Sequence, residues 1–421
     1  MSERPALLGL GALFISAAIL FLGGGLNGVL IPVRAALESY STLQIGLLGT
    51  AAAVGTIIGC ILTPGLIAQV GHIRAFAVLA AGAAVVALLH GLVVDPWFWV
   101  ALRIPTGLCF AGLATVIESW LNASAGNRAR GRVMATYMII QLSMQTAGQL
   151  LLMSADPATL TLFAVVALAI TASLIPVGLT RAITPGPVAN VRLRLGRLYH
   201  ASPSGVAGAL AVGLVNGAFW ALAPLYASDQ GLATAEIALF MSAAVIGGAL
   251  LQYPLGRLSD RIDRRHVILG TATATGLAAL ALALLAGRFA AGPLWFAGML
   301  GGFMFALYPL SVAHVNDHVA EGRFVEASSG LLLLQGTGAV AGPILGALVM
   351  GIVGSVGLFF YIAVINLLLL AFVSSRLQRA PRPTAAERED FVVLPSSATA
   401  GLDLDPRAAE LDEVSEEEQW P

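Results

Sequence analysis

The chain has no lysine, only two cysteines and very little charge: 11% of its 421 residues are charged. Each shortage excludes something. A soluble domain is about 25% charged, whereas this sequence is 58% hydrophobic with a mean hydropathy of +0.87. A chain this long cannot hide that much apolar surface in one core, so lipid must solvate much of it. A net charge of −1 argues against a nucleic-acid partner. Cys60 and Cys109 both lie inside apolar runs and read as small core residues, not as a disulfide or a metal pair. No phosphate-binding loop, metal cluster or nucleophilic constellation is evident, so neither an enzyme nor a cofactor is expected, and any energy must come from gradients. Arginine-only basicity with abundant Ala, Gly and Leu fits a high-GC bacterial genome.

What the sequence does contain is apolar runs of membrane-crossing length, about 20 residues each. They fall near 6–33, 43–69, 73–94, 96–122, 131–154, 157–181, 204–228, 235–257, 265–287, 292–315, 325–352 and 355–376. The first is too long for a cleavable signal and reads as a retained span. With the N-terminus placed in the cytoplasm, nineteen arginines fall inside, Arg34 and Arg288 fall outside, and Arg103 falls within a span. That bias sets the orientation, with both termini cytoplasmic. Trp97 and Trp99 are expected at the opposite interface as an aromatic belt. The expected organisation is an all-α membrane protein of twelve transmembrane helices. A six-helix bundle at 1–181 and a second at 204–376 are joined by a Pro- and Arg-containing linker at 182–203, and an acidic tail at 377–421 reads as disordered.

A charged decapeptide between two apolar runs, Gly256–Arg265, has six charges in ten residues. A worn echo, Pro64–Ile73, stands 192 residues earlier. At the same shift Gly25 meets Gly217, Pro32 meets Pro224, Thr42 meets Thr234 and Ile45 meets Ile237; with small further shifts Trp97-Phe98 meets Trp295-Phe296, Gln141 meets Gln335 and Gly148 meets Gly342. Two similar halves related by an axis along the membrane normal are the plan of a rocking transporter, with its substrate site between the halves near mid-membrane.

Several side chains carry the candidate chemistry. Arg103 lies several residues inside the fourth span, where an arginine usually faces a cavity or a partner; snorkelling to the near surface is the bland alternative. It would act on a neighbouring acid or hold an anionic substrate. Glu118, fifteen residues on along the same span, falls near the cytoplasmic edge, as a gate carboxylate or a proton carrier. Gln141, Gln145 and Gln149 form one helical stripe, either interhelical glue or cavity lining. Asn27, Asn216, Trp220, Tyr226, Gln252, Tyr308 and Gln335 complete the candidate wall. Asp260, just past the eighth span, is placed to meet the positive end of a neighbouring helix. Arg261, Arg264 and Arg265 either pair with carboxylates across the seam between halves or only set topology. Asp317 shares the ambiguity of Glu118. His314 and His318 are spaced for a metal but lack further ligands, and His90 reads as a core histidine.

The decapeptide resembles the loop motif G-x-L-x-D-R-x-G-R-R of the major facilitator superfamily, matched by Gly256, Leu258, Asp260, Arg261, Arg264 and Arg265, with Asp263 in place of the second glycine. The first-half copy keeps Leu66 and Gly71 but has Ala68 at the aspartate position. Arg103 and Gly107 match the R-x-x-x-G motif of the fourth span, and Gly338-x-x-x-Gly342-Pro343 is similar to a drug-antiporter motif that normally sits in the fifth span. The strings Val70–Phe76 and Glu118–Asn122 resemble the YcaD-like bacterial branch. The resemblance implies the superfamily fold, a cavity lined by spans one, four, seven and ten, and hence Asn27, Asn216, Trp220 and Tyr308 in its wall. It links Arg103 to proton coupling.

The expectation is a secondary transporter in the bacterial inner membrane. It would export a small amphipathic or drug-like molecule by alternating access, driven by protons, as a monomer. Facilitated uptake of a sugar or other metabolite is the second possibility. A transporter-fold sensor signalling through the acidic tail is the third. The substrate-cavity candidates are Asn27, Arg103, Gln141, Gln145, Gln149, Asn216, Trp220 and Tyr308; the coupling and gate candidates are Arg103, Glu118, Asp260, Arg261, Arg264 and Asp317.

Overall fold

The computed structural model describes residues 3–124, 127–179, 195–288, 291–319 and 324–377. The proposed tail beyond 377 and all of the linker before residue 195 lie outside these residues. The first half comprises α1 (Glu3–Leu37), α2 (Thr42–Val70), α3 (His72–Leu92), α4 (Pro96–Ser124), α5 (Asn127–Leu150), α6 (Thr161–Ala172) and α7 (Leu174–Leu179). A short α8 (Leu195–Ala201) leads into α9 (Pro203–Asp229), α10 (Thr234–Arg261), α11 (Arg264–Leu285), α12 (Gly292–Asn316), α13 (Phe324–Val353) and α14 (Gly357–Leu377). Eleven membrane-length apolar helical segments are present among the described residues, α6 and α7 counting as one that is interrupted at Ser173. The twelfth span is α5, long enough at 24 residues but made polar by its glutamines and arginines, and packed against α1 and α10. The fold is therefore all-α, with twelve spans in two pseudo-symmetric bundles.

Lipid gives helices no hydrophobic reason to associate, so small residues that let backbones approach closely dominate such interfaces. The duplication is written into these close approaches. A Cβ on Gly25 would strike the backbone of Gln145, and one on Gly217 that of Ala339; Gly148 abuts Leu22 just as Gly342 abuts Leu214. Between the next helix pairs, Gly55 meets Ile104 as Gly247 meets Gly298, and Gly107 meets Ala52 as Gly301 meets Ala244. Every partner lies 192 or 194 residues from its counterpart. Thus α1–α5 and α2–α4 of one half reappear as α9–α13 and α10–α12 of the other.

The connections differ where the repeats differ. Between α2 and α3 the chain turns at Gly71, whose φ of 80° suits glycine. The matching residue between α10 and α11 is Asp263, which keeps φ at −58° and accepts a hydrogen bond from the Arg265 backbone N–H as the N-cap of α11. Asp260 does not occupy that position: it lies in the last turn of α10. The dipole role expected of it falls to Asp263.

Two faces follow from the charges. The basic face carries the α10–α11 connection; the far face carries Arg34, which pairs with Glu38 at 2.6 Å and donates to the Pro157 carbonyl at 3.1 Å. Trp97 is 62% exposed there, as an interfacial tryptophan should be. Trp99 is fully buried, which corrects its assignment to the belt. Its ring packs on Tyr40, His90 and Phe163 and its indole N–H donates to Val93. Burial, then the Glu38 and Asp95 carboxylates, push the Tyr40 phenol up to about 12, so it stays neutral at physiological pH. His90 is a core histidine hydrogen-bonded to Val86.

The backbone contacts generate a prediction. Gly107→Val and Gly301→Val should each lower the melting temperature in detergent, by the ~1–3 kcal/mol typical of overpacking. Gly270→Ala, which would meet nothing within 4 Å, should be neutral. Equal tolerance at all three positions in a thermal-shift assay would refute the contact pattern.

Candidate substrate cavity and charged cluster

A cavity of about 400 Å³ lies on the seam between the two halves, walled by α1, α2, α4 and α5 on one side and α9 and α13 on the other. Its size fits a small molecule. Apolar side chains form most of the wall, among them Ile31, Ile45, Leu48, Ile57 and Leu332; the polar exceptions include Arg103, Gln145, Gln149, Asn216, Trp220 and Gln335. A smaller cavity of about 130 Å³ adjoins it between α5 and α10, lined by Gln141, Gln145, Trp220 and Gln252. The glutamine stripe of α5 is therefore distributed: Gln149 in the main cavity, Gln141 in the side cavity and Gln145 in both.

Arg103 is half-buried, and its side chain forms part of the wall. Its Nε donates to the Leu48 carbonyl of α2 at 3.3 Å. No carboxylate lies within ion-pairing distance of it among the described residues. No Asp or Glu joins the wall either, so Arg103 is the one charged residue among its described members. Asn216, 6% exposed, sits at the midpoint of α9, and its Oδ1 finds no hydrogen-bond partner. Trp220 stacks on Phe305 with centroids 5.7 Å apart.

Two expected wall residues fall elsewhere. Asn27 is buried in α1, but α1 turns Gly24, Gly25, Gly28, Ile31 and Pro32 to the cavity instead. Tyr308 is packed in an apolar cluster with α9, α11 and α13 residues at the basic end of the second half. Composition marks such residues as amphipathic; only the rotation of each helix decides which of them reach the cavity.

Glu118 is 1% exposed and accepts a hydrogen bond from the Tyr137 hydroxyl at 3.0 Å. It lies within electrostatic reach of Cys60, which is itself a cavity-wall residue. Fifteen residues separate it from Arg103 along one helix, about 22 Å, so the two are not brought together. Tyr137 is a partner that the sequence reading missed, because its link to Glu118 depends on how α5 is rotated against α4.

The residues of the charged loop motif form a second, separate cluster. Arg264 is 2% exposed. It reaches Asp317 at 3.2 Å and Asp260 at 3.4 Å, tying together the ends of α10, α11 and α12. Both of these carboxylates belong to its own half. Arg261 is exposed. His314 is buried and its ring lies 4.6 Å from that of His318, yet no group of three metal-binding side chains forms among the described residues.

Among the described residues, contacts that bridge the halves occur from mid-depth toward the far face. Thr50 donates to the Val340 carbonyl at 2.8 Å, and Ser242 donates to Gln149 at 3.3 Å. Gly46 and Gly49 of α2 are fitted against Pro343 and Ala347 of α13 and Ala221 of α9. A Cβ at Gly46 would come within 2.8 Å of the Pro343 carbonyl, so α2 and α13 meet with no room for a side chain between them.

Comparison with known proteins agrees with this architecture. A family model described as the Major Facilitator Superfamily matches residues 205–408. A Shigella flexneri protein described as an uncharacterized MFS-type transporter, YcaD, is 30% identical over 403 residues, covering 91% of this chain and 98% of its own length. Its counterpart in Escherichia coli O139:H28 matches to the same extent, 30% over 403 residues, with 91% and 98% covered. Among solved structures, the nucleoside transporter NupG superimposes with a TM-score of 0.71 at 14% identity, covering 89% of this chain and 100% of that one. A bacterial homolog of the human lysosomal transporter Spinster, in an inward-facing and occupied conformation, gives 0.72 at 15% identity, with 92% and 99% covered. At such identities these two structures speak to the fold alone.

The charged cluster also makes a prediction. Removing one member of a buried ion pair costs about 3–5 kcal/mol, whereas exposed pairs are worth about 0–1 kcal/mol. Asp317, whose side chain is 4% exposed, should matter more than Asp260, at 30%. Asp317→Asn should lower the melting temperature well beyond Asp260→Asn. The reverse order in a thermal melt would contradict the assignment of Asp317 as the main counter-ion of Arg264.

Proposed function

The chain belongs to the major facilitator superfamily and is a multi-pass membrane transporter, not an enzyme; from that premise we propose that it is a monomeric, proton-coupled exporter of small amphipathic molecules in the bacterial inner membrane. The observation that carries this reading is the position and chemistry of the main cavity. It lies on the seam between two pseudo-symmetric bundles, is mostly apolar and holds a few polar groups that can orient a ligand. The arginine bias puts the basic face and both termini in the cytoplasm. The bridging contacts from mid-depth toward the far face then correspond to a state shut toward the outside, with the cavity to be reached from the cytoplasm.

Glu118 is the proposed proton site. It is a buried carboxyl, held by a tyrosine hydroxyl and within electrostatic reach of the wall residue Cys60. A proton carried there is tied to the state of the cavity through the packing of α4 on α5 and α2. In this reading the Arg264 cluster holds the ends of α10, α11 and α12 together as a unit while the halves, near 1–181 and 204–376, rock past one another.

Cys60 gives a native reporter. In a Cys109→Ser background, a membrane-impermeant maleimide should label Cys60 in inside-out vesicles and leave it unlabelled in right-side-out vesicles. Equal labelling from both sides would contradict the outward-shut state. Compounds that raise the melting temperature of the purified protein should then accumulate in inside-out proteoliposomes with an acid lumen, and Glu118→Gln should abolish the pH-driven part. Flux indifferent to the gradient would replace export with facilitated uptake.

A further inference from the structure

We propose that the substrate is an amphipathic organic anion: one carboxylate-type headgroup, held by Arg103, on an apolar body. This deepens the transport reading above and rests on it. Arg103 is the starting point because its partners do not account for it. Nε is used on the Leu48 carbonyl. A guanidinium has five N–H donors, and the four on its two Nη atoms have no acceptor among the described residues. An arginine within a membrane span is costly and is normally matched by a counter-charge or a cavity. Here the wall supplies none: no Asp or Glu joins it, and Glu118 stands about 22 Å away along the helix.

A planar fork of donors in an apolar, partly enclosed site fits a carboxylate, which it can bind through two parallel charge-assisted hydrogen bonds. A second, independent observation lies on the opposite half. The amide of Asn216 is more than nine-tenths buried at the same wall, and its Oδ1 has no protein partner. The amide oxygen and nitrogen can exchange places by a flip, so this group is available to a polar atom on the ligand. Arg103 sits toward the far face, seven residues or about 10 Å into α4, and Asn216 at mid-depth. The same wall includes Leu48, Ile57, Leu332 and Trp220. The headgroup is thus placed at the outer end, and the apolar body lies toward the cytoplasm. A protonated amine would add a second positive charge to a site with no carboxylate, so cations are selected against.

The test compares probes of one shape and different charge: indole-3-acetate, indole-3-acetamide and tryptamine, with octanoate as an aliphatic acid. Two readouts use the full-length Cys109→Ser protein: protection of Cys60 from N-ethylmaleimide, and thermal shift. At least one of the acids should protect Cys60 at concentrations tenfold or more below the amide, and tryptamine should not protect. Arg103→Gln should remove the acid effect while the ligand-free protein melts at the same or a higher temperature, because an uncompensated intramembrane charge is gone; Arg103→Lys should keep part of it. Protection by tryptamine equal to that by the acids, protection by neither acid, or undiminished acid protection in Arg103→Gln would each overturn the proposal. If Arg103→Gln fails to fold, the charge series on the Cys109→Ser protein and the Arg103→Lys variant still decide it. Binding needs no gradient: acids that bind but ignore a pH gradient contradict the export reading alone, and gradient-driven flux of amines without acid binding contradicts the anion assignment alone.

Discussion

Everything in this structure depends on helix backbones touching at glycine. In lipid no hydrophobic force draws helices together, so close van der Waals approach must do it. Gly25 and Gly148 join α1 to α5, and Gly55 and Gly107 join α2 to α4. Their counterparts Gly217, Gly342, Gly247 and Gly301 do the same in the second half. These joints make each bundle a unit. Where α2 of one unit meets α13 of the other, Gly46 and Gly49 are also fitted closely against Pro343. The cavity is the space left on the seam beside that fit.

The two halves share a skeleton but not their charge. In the second half a buried arginine, Arg264, binds Asp317 and Asp260 and fixes three helix ends. In the first half the equivalent loop turns on a positive-φ glycine, has lost its aspartate to Ala68, and has His72 where Arg264 would stand. His72 is buried, lies 3.2 Å from the Ser119 hydroxyl and packs on Trp120. A neutral contact thus replaces an ion cluster. The first half instead places its charge deeper: Arg103 at the cavity, and Glu118 under Tyr137.

Much of this was legible in the sequence because it depends on composition or on a fixed interval. Apolar run length located the spans, and the 192-residue interval, with a small further shift, paired Gly25 with Gly217 and Gly148 with Gly342 before any contact was known. What stayed hidden depends on helix rotation and capping. The polar residues Asn27 and Tyr308 are as suited to a cavity as Asn216 and Trp220, yet their helices turn them into the protein. Trp99 sits two residues from an interfacial tryptophan and is nonetheless wholly buried, since α4 turns adjacent positions to opposite environments. Asp260 and Asp263 are three residues apart, and only the exact end of α10 decides which one caps the next helix.

The central claim is that the two bundles move as units about a seam that is shut on its outer side. The most direct measurement is oxidative cross-linking of the pair Thr50→Cys and Val340→Cys, whose native side chain and carbonyl meet at 2.8 Å. The account predicts efficient cross-linking in the ligand-free Cys60→Ser, Cys109→Ser background, loss of flux when the link forms, and recovery on reduction. Flux that continues undiminished with the outer seam covalently closed would contradict it.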